Sequence, residues 1–191
     1  VGVDAVREKH EKAWEASLSP KVGLKIPEMF EAAHEGKVKA MYILGENPVL
    51  TDPDANHIRG ALEKLEFLVV HELFLTETAA YADVILPAAS FAECDGTFTN
   101  TERRVQRVRK AIEPIPGQAN WQTICQMFVA MGYPLNYNSP KEIWDEMASL
   151  SPSMAGINFE RIDQENSLQW PCPSLDHPGT PVLHVGKFTR G

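Results

Sequence analysis

Residues 37–89 read KVKAMYILGENPVLTDPDANHIRGALEKLEFLVVHELFLTETAAYADVILPAA, and this stretch decides the fold. Three short apolar runs, Ala40–Leu44, Phe67–Val70 and Val84–Leu86, each end at a polar or turn-forming residue. Short runs rich in Val and Ile are typical of strands buried on both faces. The helical spacing of apolar residues in His57–Leu65 predicts a helix between the first two strands. The pattern therefore predicts a strand–helix–strand unit with a right-handed crossover and a parallel sheet.

The residues that follow the three strands are where a ligand is expected, because parallel sheets bind ligands beyond the carboxyl ends of their strands. These ends carry Gly45-Glu46-Asn47-Pro48, His71-Glu72 and Pro87-Ala88. A glycine directly after a strand lets the backbone approach a ligand closely, and an acid such as Glu72 can accept from ribose hydroxyls. Each feature alone also suits an ordinary solvated turn. Together they favour a nucleotide site, although the chain has no GxGxxG sequence.

The composition bounds the class of protein. The chain has 191 residues, 43% of them hydrophobic, which suits one large domain with an ordinary core. A net charge of −8 argues against a general nucleic-acid binder, which needs a basic face. No apolar run approaches the roughly 20 residues that span a membrane. The charged residues 1–12 do not have the pattern of a signal peptide.

The three cysteines, Cys94, Cys125 and Cys172, are widely spaced and form no CxxC pair. The sequence therefore predicts neither a zinc site nor a cluster site in this chain. Free thiols are typical of proteins in a reducing compartment, so we expect a cytoplasmic location.

The rest of the chain is predicted to be mostly helical, with one irregular or hairpin-like segment over Phe91–Lys110 around the Asp95-Gly96 turn. Further helices are predicted over residues 1–17, 27–36, 118–131 and 141–150. Prolines cluster from residue 151 onward and predict an irregular tail. We therefore divide the chain into a helical lead-in, an α/β domain and an irregular tail, over residues 1–36, 37–150 and 151–191.

Two groups of side chains leave alternatives open. His71 can titrate or bind a metal, although a single histidine at a strand end more commonly packs or hydrogen-bonds. A basic run can hold phosphates, but a solvated hairpin face explains it equally well. This run consists of Arg103, Arg104, Arg107, Arg109 and Lys110. No nucleophile–base pair stands out, so no catalytic residue and no metal ligand is predicted.

Several separated motifs, in the same order along the chain, resemble the large subunit of the molybdopterin oxidoreductase family. They are Gly45-Glu46-Asn47-Pro48, the ADVILP sequence of residues 82–87 and the ECDGTFTNTERRVQ sequence of residues 93–106. Three further motifs resemble the formate dehydrogenase branch: Met131-Gly132-Tyr133-Pro134, Ile143-Trp144 and Gln169-Trp170-Pro171-Cys172. The similarity runs from about Pro27 to the tail.

The resemblance implies a three-layer, parallel-sheet, Rossmann-like nucleotide-binding domain with extra C-terminal helices. In the family, such a domain is the third of four and holds the guanosine end of a molybdopterin guanine dinucleotide. By motif, the cofactor-binding residues would be Gly45, Glu46, Asn47, Thr51, His71, Glu72, Leu73, Ala88 and Asn120. Glu72 would lie near the ribose and Asn120 would face the guanine edge. Some relatives have Asp at the latter position, and an amide offers only one acceptor atom to the adjacent guanine donors.

The resemblance also implies a function for the parent protein, which would oxidise formate to carbon dioxide at molybdenum or tungsten. An iron–sulfur cluster would lie in another domain. The partners would be the remaining domains of the same subunit and iron–sulfur, NAD-linked or ferredoxin-linked electron-transfer subunits. The chain is expected to be an interior fragment and inactive by itself. The alternatives are another molybdopterin oxidoreductase, such as a nitrate reductase, and a non-catalytic family scaffold in a respiratory complex.

Overall fold

The computed structural model describes residues 4–188, which form two compact units divided after Ser90. In the first unit, the strands are β1 (Ala40–Leu44), β2 (Phe67–Glu72) and β3 (Val84–Pro87). They form a parallel sheet in the order β1-β2-β3. The helices are α1 (Asp4–Trp14), α2 (Ile26–His34), α3 (Pro48–Thr51) and α4 (Ala55–Leu62), with a 3₁₀ turn at Thr78–Tyr81.

The predicted α/β class and the parallel strand–helix–strand unit are confirmed, with element ends shifted by a few residues. The helix predicted over residues 1–17 is present as α1 in its described part, and residues 1–3 lie outside the described residues. Helix α4 begins where the Asp54 carboxylate accepts a 3.0 Å hydrogen bond from the His57 backbone N–H. This N-cap satisfies a donor that the first helical turn leaves unpaired.

The core of the first unit lies on one face of the sheet. Leu68 and Val70 of the central strand pack there against side chains of α2 and α4. The buried set is Phe30, Ala33, Val49, Ile58, Ala61, Leu62, Leu68, Val70 and Ala79. Helix α3 and the 3₁₀ turn contribute Val49 and Ala79, so the loops beyond the strands share the core with the helices.

The opposite face of this sheet is partly exposed in the described part of the first unit. Tyr42, Leu44, Phe67 and Val84 are each 36% to 46% exposed. The three-layer arrangement predicts helices on both faces, whereas here α2 and α4 cover only one face. The apolar runs give the strands two apolar faces, but the helices of this stretch are enough to cover only one of them.

The second unit contains an antiparallel sheet in the order β4-β5-β6, from Gly96–Thr99, Arg104–Val108 and Leu168–Gln169. Its helices are α5 (Asn120–Ala130), α6 (Pro140–Leu150) and α7 (Phe159–Glu165), and a 3₁₀ turn covers Phe91–Glu93. The hairpin alternative for residues 91–110 is thereby confirmed. Within residues 4–188, we find no helix that is both long and apolar enough to cross a membrane.

The tail is less irregular than its sequence predicts, because it contains α7 and β6. Asn158 caps α7 by accepting from the Arg161 N–H at 2.8 Å, and Asn166 ends it with a φ of +64°. The buried core of this unit consists of Val105, Trp144, Ala148, Ile157, Phe159, Ile162, Leu168 and Cys172. The last five of these residues belong to the tail. The seven-residue helix is too short to show periodicity, so the surrounding prolines dominated the sequence pattern.

Candidate functional site

The carboxyl edge of the parallel sheet brings Gly45, Glu72 and Ala88 side by side. The Gly45 N–H donates to the His71 carbonyl at 3.0 Å, and the Ala88 N–H donates to the Glu72 carbonyl at 3.0 Å. Both bonds extend the strand pairing beyond the last paired residues, Leu44 with His71 and Glu72 with Pro87. The structure therefore places three of the predicted site residues at one edge.

Gly45 turns the chain sharply at this edge, with a φ of +63°. A Cβ built at this position would meet no atom within 4 Å, so the backbone here faces open space. Its N–H is already used by the His71 carbonyl and is not available to a ligand. Gly45 can therefore permit close approach to the edge, and the positive φ explains why a glycine is needed there.

The loop after Gly45 is held together by its own polar side chains. The Thr51 hydroxyl donates to Glu46 Oε1 at 2.6 Å, and the Asn47 N–H donates to the same oxygen at 3.2 Å. The Asn47 carbonyl accepts from the N–H groups of Leu50 and Thr51, at 2.9 and 3.0 Å. These bonds fold residues 46–51 into one turn of helix directly beyond β1.

The Asn47 side chain joins this loop to the segment that follows β2. Its Oδ1 accepts from the Thr78 hydroxyl at 2.7 Å and from the Thr78 N–H at 3.2 Å. Its Nδ2 donates to Glu77 Oε2 at 2.7 Å. Both ends of the Asn47 amide are thus engaged by the protein itself.

Glu72 presents a different arrangement at the same edge. Its Oε1 accepts from the Leu73 N–H at 2.7 Å, which fixes the orientation of the half-buried carboxylate. Among the described residues, no hydrogen bond to Oε2 is found. Leu73 follows with a half-exposed side chain. Glu72 therefore combines a fixed orientation with unused acceptor capacity.

The His71 ring is fully buried, and it shares a 2.6 Å hydrogen bond through Nδ1 with the Tyr42 hydroxyl. Burial lowers the pKa of His71, and the backbone of Pro87 and the charge of Glu72 oppose that shift only in part. Within residues 4–188, Nε2 has no partner in hydrogen-bond geometry. The ring is therefore neutral near pH 7, and it is not exposed at the carboxyl edge with Glu72.

The charge at this edge is negative. Glu72 ends β2, Glu46 and Glu77 lie in the loops beyond β1 and β2, and among residues 4–188 none of the three forms a salt bridge. The hydrogen bond from Asn47 lowers the pKa of Glu77, and the charge of Arg59 contributes less. Carboxylates repel phosphate groups but accept from hydroxyls and amines. The edge therefore suits the nucleoside part of a nucleotide better than its phosphates.

Asn120 belongs to the second unit, where it is the half-buried first residue of α5. Burial raises the pKa of the Cys94 thiol, and a hydrogen bond to the Asn120 backbone opposes that shift only in part.

The basic run of the hairpin is engaged within the second unit. Arg109 pairs with Asp163 at 2.6 Å, and Arg107 lies 3.8 Å over the Phe159 ring. The Arg103 guanidinium donates to the carbonyls of Trp170 and Thr180. These contacts argue against a phosphate site, and they show that the run is only in part a solvated face, because the Arg107 side chain is largely buried. In the part of the chain that the structure describes, no group of three or more His, Cys, Asp or Glu side chains is placed to hold a metal ion.

Sequence reasoning missed Thr78 and Tyr42, which the structure places in contact with predicted site residues. Thr78 lies 31 positions from Asn47, and Tyr42 lies 29 positions from His71. No local pattern reports a contact over such a separation. The one available signal was the polar triplet Thr76-Glu77-Thr78, which follows the apolar residues after β2.

A family model described as molybdopterin oxidoreductase matches residues 7–128. This match covers more than half of the chain and includes the whole parallel sheet with its carboxyl edge. The chain belongs to the molybdopterin oxidoreductase family.

Similar curated proteins include formate dehydrogenase alpha subunits and putative formate dehydrogenases. The chain is 45% identical over 189 residues to the F420-dependent formate dehydrogenase 1 subunit alpha of Methanococcus maripaludis, with 97% of this chain and 28% of that protein covered. It is 47% identical to the F420-dependent formate dehydrogenase subunit alpha of Methanocaldococcus jannaschii, with 93% and 27% covered. It is 44% identical to a putative formate dehydrogenase of Staphylococcus haemolyticus, with 98% and 19% covered. The chain thus spans between about a fifth and somewhat more than a quarter of these relatives.

A solved structure supports the fold. Acetylene hydratase from Pelobacter acetylenicus is similar with a TM-score of 0.62 over 88% of this chain and 24% of that one. At 19% sequence identity, this likeness concerns the fold alone.

Proposed function

We propose that this segment is the cofactor-binding domain of a formate dehydrogenase large subunit. We further propose that the carboxyl edge of its parallel sheet holds the guanosine end of a molybdopterin guanine dinucleotide. The family membership and the names of the similar subunits support the first part. The second part rests on one observation: Glu72 is held in orientation at the edge, beside the open backbone of Gly45, with one carboxylate oxygen unused.

The groups at the edge fit a nucleoside chemically. A carboxylate accepts hydrogen bonds from the two hydroxyls of a ribose, and Gly45 leaves room for the sugar to approach. Glu46 and Thr51 shape the same loop, and Ala88 closes the third strand end with a small side chain. Among the described residues, no salt bridge neutralises Glu46, Glu72 or Glu77, which favours the nucleoside over the phosphates as the group bound here.

The roles of the remaining predicted residues differ. Leu73 would offer apolar contact beside Glu72, since its side chain is half-exposed. His71 would act through its carbonyl bond to Gly45 and its packing with Tyr42. Asn120 in the second unit would meet the guanine edge, where its amide supplies a single acceptor atom.

When bound, the dinucleotide would supply the molybdenum or tungsten centre at which formate is oxidised to carbon dioxide. The residues of this chain would bind and orient the nucleoside end. An iron–sulfur cluster and electron-transfer subunits would complete the enzyme in the cytoplasm. Two of the similar subunits are F420-dependent by name, so an F420-linked partner joins the NAD-linked and ferredoxin-linked partners as a third candidate.

The substitution Glu72→Gln in a full-length subunit that carries this segment tests the proposal. The amide oxygen can keep the bond from the Leu73 N–H, but the amide nitrogen then faces the ribose and cannot accept from it. A charge-assisted bond contributes roughly 1.5–3 kcal/mol, so cofactor retention should fall by about one to two decades. The measurement is the pterin and metal content of purified protein after dialysis.

The matched control is Glu63→Gln, an exposed acid at the end of α4. Glu77 is unsuitable as a control because its carboxylate accepts from Asn47. Equal retention in the two variants would remove Glu72 from the site. A wild-type subunit without any pterin would contradict the cofactor-binding function itself and favour a scaffold.

A further inference from the structure

Thr78 lies at the start of the 3₁₀ turn between β2 and β3, and it joins two loops of the carboxyl edge. Its side chain is fully buried. The hydroxyl donates to Asn47 Oδ1 at 2.7 Å and accepts from the Val49 N–H at 3.2 Å. The Thr78 side chain, in the second loop of the edge (between β2 and β3), thus binds two residues of the first loop, which follows β1.

Asn47 transmits this hold to the rest of the first loop. Its Oδ1 is shared by the hydroxyl and the N–H of Thr78, and its Nδ2 is bound by Glu77. Its backbone carbonyl accepts from the N–H groups of Leu50 and Thr51. A ligand would therefore have to displace existing bonds to reach this amide, which makes Asn47 a link within the protein.

We propose that Thr78, through Asn47, positions the loop of residues 45–51 for cofactor binding. The proposal rests on the proposed function, because the loop is the one assigned there to the nucleoside. It reassigns Asn47 from a direct contact to a positioning residue and adds Thr78, which the sequence motifs did not include. The two loops form a single preformed cradle in the protein before any ligand arrives.

The chemistry of the hydroxyl makes this claim specific. Valine has nearly the same shape as threonine but can neither donate to Asn47 nor accept from Val49, so Thr78→Val breaks both bonds without creating a large cavity. Serine keeps the hydroxyl, so Thr78→Ser should preserve the link. The buried Val49 N–H would lose its acceptor in the valine variant, and a buried donor without a partner destabilises its surroundings.

The first measurement is amide hydrogen exchange in the full-length subunit without cofactor. Exchange at Val49, Leu50 and Thr51 should be roughly tenfold faster in Thr78→Val than in wild type, and exchange in β2 should be unchanged. Thr78→Ser should match wild type. Thr99→Val serves as a control, since it makes the same chemical change on an exposed strand of the second unit. Unchanged exchange at all three amides would overturn the link.

The second measurement is cofactor content after dialysis. Thr78→Val should retain roughly tenfold less pterin than wild type, and Thr78→Ser should restore retention. Faster exchange with unchanged retention would overturn the positioning role. If Glu72→Gln loses cofactor while Thr78→Val does not, only the positioning proposal fails. If neither variant loses cofactor, the proposed site fails as well.

Asn47→Ala keeps the test decisive if Thr78→Val does not fold, because Asn47 is only partly buried. Its loss should also speed exchange at Leu50 and Thr51 and lower retention. In a protein that carries both substitutions, the loss of retention should be smaller than the sum of the two single losses, since each substitution removes the bond between Thr78 and Asn47. Wild-type exchange and retention in Asn47→Ala, or additive losses in the double variant, would contradict the proposal.

Discussion

Glu72 and Asn47 both follow a strand of the parallel sheet, yet their hydrogen bonds give them different tasks. The Glu72 carboxylate is oriented by one bond from Leu73, and no hydrogen bond to its second oxygen is found among the described residues. The Asn47 amide is bound at both ends by Thr78 and Glu77. At the scale of single residues, we therefore propose ligand binding for the side chain that has unused hydrogen-bonding capacity. A position at a strand end is not by itself sufficient for that role.

The buried His71 should make the free energy of unfolding depend on pH. Burial lowers the pKa of His71 in the folded protein, whereas an unfolded histidine titrates near 6.5. Below about pH 6.5 the unfolded chain binds a proton that the folded chain does not, so the free energy of unfolding should decrease as the pH falls. Urea unfolding of the purified chain at pH 7.5 and pH 5.5 measures this decrease, and His71→Gln should reduce it.

The control for this prediction is His184→Gln, because His184 is exposed in the described structure. This variant should show the same decrease in the free energy of unfolding between pH 7.5 and pH 5.5 as wild type. If His71→Gln and the control retain the same pH dependence as wild type, the buried and neutral state of His71 is contradicted.

At the scale of secondary-structure elements, the parallel unit was predictable because its signals are local. The apolar runs that became β1, β2 and β3 end at turn residues, and α4 shows helical spacing. The placement of Gly45, Glu72 and Ala88 at one edge followed from the parallel direction of these strands. The hydrogen bonds between Asn47 and Thr78 could not be predicted in this way, because a contact across 31 residues depends on packing that no local pattern contains.

The hairpin shows the same limit. The basic residues of β5 and its flanks left two interpretations open, a phosphate site or a solvated face. The structure pairs Arg109 with Asp163, which lies 54 positions further along the chain in α7. The sequence shows the charges of the run, but it does not show that Asp163 pairs with Arg109.

Helix α7 provides the prediction at this scale. Ile162 of this helix is 1% exposed in the core of the second unit, so Ile162→Ala should lower the free energy of unfolding by about 2–5 kcal/mol. The matched control Ile112→Ala changes an isoleucine that is 53% exposed and should cost much less. Urea unfolding of the purified variants measures both. Equal and small losses would show that the tail does not pack as the structure describes.

At the scale of the whole molecule, no group of three or more His, Cys, Asp or Glu side chains among the described residues is placed to hold a metal ion. It spans 28% or less of the length of the three relatives described above, so formate oxidation is a proposal about a longer subunit. The partly exposed face of the parallel sheet agrees with a place in a longer subunit. Its half-exposed apolar residues, among them Phe67 and Val84, offer surface that further protein can bury.

The most direct test of the central claim is an experimental structure of a full-length subunit that carries this segment, determined with its cofactor bound. We expect the ribose hydroxyls of the guanosine within hydrogen-bond distance of the Glu72 carboxylate, with the sugar beside Gly45. We also expect the bonds between Thr78 and Asn47 to remain as they are here. A guanosine bound away from the carboxyl edge of β1 and β2, with Glu72 facing protein or solvent, would contradict the account.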